Sequence, residues 1–319
     1  MFRRTLVIAN PQSAGGATGR RWRQVESALH ATLGKLEVEL TRAPRDAERL
    51  AREAVRAGYE RIVVAGGDGT LSEVATGLLS AGLAHHAEIG ILPLGSGGDL
   101  ARTLGIPRSL PDALALLRDG KARRIDAGLA RYSDSTGAER SSHFLNAASA
   151  GVSGLVMRFV NQSHKRLGSR ATFLLSSLRA ILAYEAQAVR LRVDGELVHE
   201  GRLILAAASN GRYFGGGMQP APDARVDDAL FDVLLLSDMS RVKLLVHLET
   251  LYRGAHLSLR GVLSLRGRVV ELEPAERAPD LAGARASPVP IELDGEPLGT
   301  LPACFEILPG AISVVATAP

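Results

Sequence analysis

The sequence predicts an N-terminal α/β domain built on a parallel sheet, followed by a C-terminal domain that is mainly a β-sandwich. Three observations carry this expectation. Within the first hundred residues, three short apolar runs each break off into a glycine-rich turn. Up to about residue 128, strand-like and helix-like segments alternate, which is the rhythm of βαβ units. Beyond that point the chain becomes a series of short strand-like runs separated by Gly and Pro, as in antiparallel sandwiches. The expected domains are therefore residues 1–128 and 129–304.

The first strand, Thr5–Ala9, runs into Asn10-Pro11-Gln12-Ser13-Ala14-Gly15-Gly16. Arg21–Leu33 reads as a helix, Leu36–Thr41 as a strand, and Asp46–Gly58 as a helix closed by Gly58. The β-branched run Ile62-Val63-Val64 stops at Gly66-Gly67-Asp68-Gly69-Thr70, and a helical pattern begins at Leu71. Ile89–Leu92 ends in the same way, at Gly95-Ser96-Gly97-Gly98-Asp99. Ligands of parallel sheets bind beyond the carboxyl ends of the strands, so the three turns should crowd one edge. Glycines let backbone N–H groups converge on an anion, and Asp68 and Asp99 add acids at its mouth. One such turn is usually just a sharp connection; three in register point to a nucleotide-phosphate site. Asp112–Asp119 reads as a helix stopped by Gly120, before Arg123-Arg124-Ile125-Asp126 enters a strand.

Two familiar nucleotide motifs are excluded by spacing. Gly34-Lys35 and Gly120-Lys121 have no glycine five residues upstream, so there is no P-loop. Gly95-x-Gly97 meets Leu100 where a dinucleotide fingerprint needs its third glycine.

In the second half, Ser142–Asn146, Val189–Val193, Arg202–Ala208, Leu230–Leu236, Arg268–Glu273 and Pro290–Leu293 read as strands. Two helical stretches interrupt them, Ser169–Ala186 and Ser240–Tyr252. The first places Phe173, Leu174, Leu178, Ile181 and Leu182 at helical spacing, read here as core packing in preference to membrane contact or an acyl pocket. Residues 274–290 read as an exposed loop, and Phe305–Val315 as a closing strand.

With 319 residues, 46% of them hydrophobic, and a mean hydropathy of +0.08, the chain has enough apolar surface for two cores. The lone Cys304 forms no disulfide and reads as a structural thiol. No stretch approaches the ~20 apolar residues of a membrane span, and the apolar run in MFRRTLVIAN is too short for a signal peptide; a cytoplasmic protein is expected. The net charge of +4 rests on 38 Lys and Arg, only four of them Lys. Arginine suits phosphate and anionic headgroups, although genome composition produces the same bias. With aromatics at 4% and no basic helix face beside them, no nucleic-acid partner is expected. His85-His86 is the one close histidine pair, and no set has zinc spacing.

Six blocks in order carry a resemblance: Asn10–Gly15, GGDGTLSEV at 66–74, LPLGSGGDLAR at 92–102, FLNAASAGVSG at 144–154, SNGRYFGGGMQPAPDARVDD at 209–228 and IELDGEP at 291–297. Together they resemble the diacylglycerol kinase catalytic domain family in its bacterial soluble lipid kinase branch, which is similar to sphingosine and ceramide kinases. The GGDG core alone is shared with NAD kinases. The resemblance implies an NAD-kinase/diacylglycerol-kinase-like fold whose chain end, about 305–319, returns to the first domain. It implies an ATP- and Mg²⁺-dependent kinase phosphorylating a hydroxyl of a diacylglycerol-like or sphingoid-like lipid. An NAD kinase-like enzyme and a catalytically inactive lipid- or nucleotide-binding regulator are the alternatives.

Residue by residue, the implied nucleotide cradle is Gly66, Gly67, Gly69, Gly95, Ser96, Gly97 and Gly98 with Asn10, Ser13 and Thr70. Phosphoryl transfer also needs a cation and a carboxylate near the attacking hydroxyl. Asp68 and Asp99 are the candidates for organising Mg²⁺, and Glu296 for the base, with Asp294 beside it. The twin turn Asp194-Gly195-Glu196 matches no block and reads as a plain hairpin turn. Asp126 matches an acidic position implied in proton relay, a salt bridge with Arg123 or Arg124 being the other reading. A second, regulatory Mg²⁺ is implied at Asp228 with backbone oxygens of Arg225 and Leu230. Three positions depart from the family pattern: Gly98 stands for Asn, and Ala14 and Ala229 stand for Gly. Transient contact with the inner membrane face is expected, and oligomeric state is open.

Overall fold

The computed structural model describes residues 4–163, 169–237, 239–275 and 288–317. The chain divides into two compact units, Met1–Ala127 with Pro309–Pro319, and Gly128–Leu308.

The first unit follows the βα rhythm: β1 (Thr5–Ala9), α1 (Ala17–Leu33), β2 (Glu37–Leu40), α2 (Asp46–Arg56), β3 (Arg61–Gly66), α3 (Asp68–Ser80), β4 (Glu88–Pro93), α4 (Asp99–Thr103), α5 (Leu110–Asp119) and the start of β5 (Lys121–Ser133). The strands pair in parallel in the order β2-β1-β3-β4, with Ser313 and Val314 continuing the sheet beside β4. Strand β3 is central, and its Ile62, Val63 and Val64 are almost wholly buried, which explains an unbroken β-branched run in place of alternation. Val7, Leu29, Val63, Leu92, Leu114 and Leu117 form one core of this unit. Helix α5 starts at Leu110, earlier than the sequence suggests, because Ser109 caps it by accepting from the Asp112 amide. The turns after β1, β3 and β4 lie at one sheet edge, since the three strands are parallel neighbours.

The second unit continues β5 into β6 (Glu139–Phe144), β7 (Ala147–Gly151), α6 (Val152–Gln162), α7 (Ser169–Ala183), β8 (Gln187–Val193), β9 (Glu196–Ser209), β10 (Phe231–Ser237), α8 (Arg241–Tyr252), β11 (Val262–Gly267), β12 (Val269–Pro274), β13 (Pro290–Leu293) and β14 (Glu296–Ala316). Neighbouring strands here pair antiparallel. Two long strands serve both layers. The first part of β9 pairs with β8 and the rest with β7 and β10. Likewise β14 pairs with β13 through Thr300 and with β12 from Ala303 to Glu306. The core between the layers centres on Phe144, stacked on Phe231 at 5.6 Å and edge-on to Phe305 at 6.2 Å. A Cβ on Gly128 would stand 2.0 Å from the Phe144 ring, so only glycine fits beneath it.

Three features differ from the sequence reading. Helix α6 went unread: its first three residues close the FLNAASAGVSG block, and the rest lie beyond it. The expected stripe on α7 splits: Phe173 and Ile181 pack inward, whereas Leu174 and Leu182 are exposed. Strand β11 went unread because its alternation is weak. Most of the 274–290 loop lies outside the described residues.

Candidate functional site

In the first unit, the three glycine turns are stitched to one another through side chains and amides. Asn10 ends β1, and its backbone N–H donates to Ala65 O at 3.0 Å. Its Nδ2 donates to Thr70 Oγ1 at 3.1 Å, while Oδ1 accepts from the Gln12 amide. Ser13 Oγ donates to Asn10 O at 2.9 Å and lies 2.6 Å from Thr18 Oγ1. The amides of Leu94 and Gly95 both donate to Gly66 O at 2.9 Å. That approach leaves no room for a side chain, because a Cβ on Gly95 would sit 2.4 Å from Gly67 Cα.

Asp68 crosses from the second turn to the third. Its Oδ2 accepts from Gly98 N at 2.7 Å and its Oδ1 from Asp99 N at 3.1 Å. Burial pushes the Asp68 carboxyl above the ordinary carboxylate range, and the amides of Gly98, Leu100 and Asp99 oppose that rise. Asp99 is buried and paired with Arg102 at 2.8 Å. Gly98 has φ 68° and ψ 40°, the left-handed region. Asn is the non-glycine residue that tolerates this region best, so Gly98 preserves the backbone of the family's turn and forgoes only the amide side chain. Asp126 is buried and accepts from Gly310 N at 2.7 Å, while Arg124 donates to Gly310 O at 2.7 Å. The carboxylate thus fastens the returning chain end within this unit.

In the second unit, three of the late sequence blocks meet. Asp294 accepts from the amides of Leu145, Asn146 and Ala147 at 2.8, 2.9 and 3.1 Å. Asn210 Nδ2 donates to Leu145 O, and Asn146 Nδ2 to Tyr213 O, both at 2.7 Å. Asp294 has φ 48° and Gly295 φ 87°. The twin turn is built alike: Asp194 has φ 51° and accepts from the amides of Arg268 and Val269, each at 2.9 Å. Asp294 therefore has an anchoring role that Asp194 shares. Glu296 opens β14 with an exposed side chain that engages no hydrogen-bond partner among the described residues.

Sequence reasoning missed Glu292. Strand β13 is buried on both faces, and Glu292 within it is 5% exposed. Its Oε2 accepts from Gly295 N at 2.7 Å, and its Oε1 meets Ser149 Oγ, which lies 2.7 Å from Ser153 Oγ. Burial, helped by the nearby Asp294 charge, pushes the Glu292 carboxyl up to about 7. A charge flanked by Ile291 and Leu293 was the available signal. Arg108 was missed too; its Nη2 approaches Ser96 O at 3.3 Å on the third turn.

The loop before β10 has its own electrostatics. Asp228 forms an ion pair with Arg266 and accepts from Leu230 N at 3.3 Å, and Arg225 lies 3.5 Å from Asp227. Asp232 is raised by burial and by Asp228 and Asp223, with Arg266 opposing.

Among the described residues, no three Asp, Glu, His or Cys side chains converge on a metal position. Asp68 and Asp99 spend part of their acceptor capacity on amides and Arg102, so their set fits Mg²⁺ carried mainly by phosphates and water, with one carboxylate edge. At Asp228 the Arg266 guanidinium already supplies a cation, and that set does not fit a second Mg²⁺ without displacing it.

A cavity of about 530 Å³ in the second unit is lined by Val152, Ile181, Ile204 and Leu244, with Tyr184 and Arg241 at its polar side. Among the described residues, no helix is long and apolar enough to cross a membrane.

Comparisons with known proteins agree with this anatomy. Residues 4–130 match the diacylglycerol kinase catalytic domain, and residues 146–316 match the YegS C-terminal NAD kinase beta sandwich-like domain. The chain is 36% identical over 311 residues to a "Probable lipid kinase YegS-like" of Pseudomonas aeruginosa strain UCBPP-PA14, covering 98% of this chain and 93% of that one. It is 30% identical over 302 residues to a diacylglycerol kinase of Mycobacterium tuberculosis, covering 92% and 93%. A diacylglycerol kinase crystal structure from Bacillus anthracis shares the fold, with TM-score 0.70 at 20% identity over 99% of this chain and 97% of that one. Yeast NADH kinase shares it more distantly, with TM-score 0.53 at 12% identity over 100% and 84%.

Proposed function

Because this chain belongs to the diacylglycerol kinase catalytic-domain family, with the C-terminal domain of its YegS-like lipid kinases, we propose that it transfers the γ-phosphoryl group of ATP to a hydroxyl of a diacylglycerol-like or sphingoid-like lipid. The observation that carries this reading is the stitched rim of three glycine turns, held by Asn10–Thr70 and by the Asp68 bonds to Gly98 and Asp99. The stitching spends the amides of Gly95, Gly98 and Asp99 on the shape of the rim, and the first-turn amides of α3, which make no intrahelical bond, are what it offers to phosphates.

In this reading Gly66, Gly67, Gly69, Gly95, Ser96, Gly97 and Gly98 form the phosphate cradle, and Asn10, Ser13 and Thr70 hold its shape. Asp68 fixes the third turn against the second and keeps an oxygen edge toward a cation. Mg²⁺, when bound with the nucleotide, supplies charge neutralisation on the transferring phosphoryl group. Glu296, exposed and unpaired, accepts the proton of the lipid hydroxyl, and Asp294 holds the turn that presents it. Asp126 is assigned to securing the chain end. Arg225, Asp228 and Leu230 are assigned to an ion-paired loop, since Arg266 already balances Asp228. The 530 Å³ cavity lies within the ~300–1,000 Å³ range of ligand pockets, its wall shared between apolar side chains and the charged Glu185, Arg202 and Arg241.

The test uses γ-labelled ATP, Mg²⁺, lipid extracts and NAD. Label in the organic phase, lost in Asp68→Asn, supports the reading. Label in NAD alone, or wild-type transfer by Asp68→Asn, rejects it.

A further inference from the structure

Helix α7 carries apolar side chains on both its buried and its exposed side. The side it buries is mixed: Thr172, Ser176, Ser177 and Ala180 are all at most 5% exposed, beside Phe173 and Ile181, which pack inward. The side it shows to water carries Leu174, Leu175 and Leu182 at 40, 53 and 57% exposure. Helix α8 packs on it, buries no residue fully and exposes Val242 and Val246 at 69%. Single exposed aliphatic residues are ordinary, but five of the nine large exposed ones among the described residues fall on this one helix pair. A sequence under no pressure from an apolar neighbour would place its serines outside and its leucines inside.

Charge identifies the neighbour. Between Glu139 and Glu185 the chain has no Asp or Glu. Arg179 lies one helical turn from Leu175 on the exposed stripe, with its guanidinium 4.3 Å over the Phe159 ring. Arg241 and Lys243 stand at the start of α8, and its one acid, Glu249, is paired with Arg253 at 2.6 Å. Two copies of so cationic a face would repel each other across a dimer interface. An anionic lipid headgroup layer complements it, with the arginines at phosphate level and the aliphatic side chains below.

We propose that the exposed face of α7 and α8 is a membrane-docking surface that seats its leucines and valines in the interface of a bilayer carrying anionic lipids. Docking requires no turnover, so its test is separate from that of the kinase reading.

The full-length protein is sedimented with vesicles of phosphatidylcholine mixed with phosphatidylglycerol, and with vesicles of phosphatidylcholine alone. Wild type is expected to partition to the anionic vesicles, with added salt weakening the binding. Leu175→Ser with Leu182→Ser, and separately Val242→Ser with Val246→Ser, should weaken partitioning about tenfold. A melting temperature equal to wild type shows that these exposed positions leave the fold intact. As a second readout, Leu182→Trp should shift its emission to the blue on anionic vesicles only. Equal partitioning of wild type and both double variants, or an unmoved Trp emission, overturns the proposal. So does a wild-type dimer, seen by light scattering, that Leu175→Ser with Leu182→Ser converts to monomer, since a second copy would then cover the face.

Discussion

Ala14 and Ala229 hold φ angles of 52° and 60° at the two positions where the resembling family favours glycine. A Cβ in the left-handed region costs about 1–2 kcal/mol, partly offset by the freedom a glycine adds to the unfolded chain. Ala14→Gly and Ala229→Gly should therefore each stabilise the protein by roughly 0.5–1 kcal/mol, read as a higher urea midpoint at unchanged slope. A lower midpoint would mean that the alanine methyl makes a contact worth more than the strain. Glu292 gives a second residue-scale prediction, in pH. Its folded pKa of about 7 lies above the ordinary glutamate value of 4.5, so the native state binds the extra proton between them. Its contribution to stability is full below the lower value and is lost as pH rises through about 7. Between pH 5 and pH 8, wild type should lose on the order of 3 kcal/mol relative to Glu292→Gln. Parallel stability curves for the two proteins would show that the carboxyl does not titrate in this range. Ser149 has one hydroxyl proton for two partners, so protonated Glu292 donates to Ser149 and Ser149 to Ser153, and ionisation reverses both bonds.

The two Asp-Gly-Glu turns allow an experiment at the scale of elements. Asp194 and Asp294 each tie their turn to a neighbouring strand by accepting backbone amides, but Oδ1 alone serves both amides at Asp194, whereas Asp294 uses both oxygens, so an Asn can keep the bonds of the first and must lose one of the second. Asp194→Asn should cost less than about 1 kcal/mol and Asp294→Asn roughly 1–3 kcal/mol. Only the second should also lower phosphoryl transfer, because only that turn carries the proposed base; equal activity in the two variants would remove Asp294 from the site. Much of this level was legible in the sequence. Strands β1, β3 and β4 declare themselves as β-branched runs ending in glycine, and the Asp-Gly pairs as turns. What escaped depends on remote partners. Glu292 is buried because β7 and β14, far away in the chain, flank β13. The inward side of α7 joins Thr172, Ser176 and Ser177 to Phe173 and Ile181, so a periodicity argument that assigned the whole apolar stripe to the core was right for Phe173 and Ile181 and chose the wrong face for Leu174 and Leu182.

At the scale of the whole chain, the α/β first half and the sandwich second half follow from a change in hydrophobic rhythm near residue 128, and the two compact units divide between Ala127 and Gly128. The ordered blocks supplied the family. They did not reveal how they are spent locally: the carboxylate of Asp68 is used on amides of the third turn, and that of Asp228 on Arg266. Backbone amides as acceptor-satisfying partners leave no trace in side-chain identity. The central claim is that this rim holds ATP while Glu296 takes the proton of a lipid hydroxyl. The most direct measurement is single-turnover transfer of label to lipid by Glu296→Gln, made alongside its ATP affinity. Nucleotide binding within about twofold of wild type and transfer reduced by about 10²-fold or more is the predicted result. Transfer at the wild-type rate would contradict it.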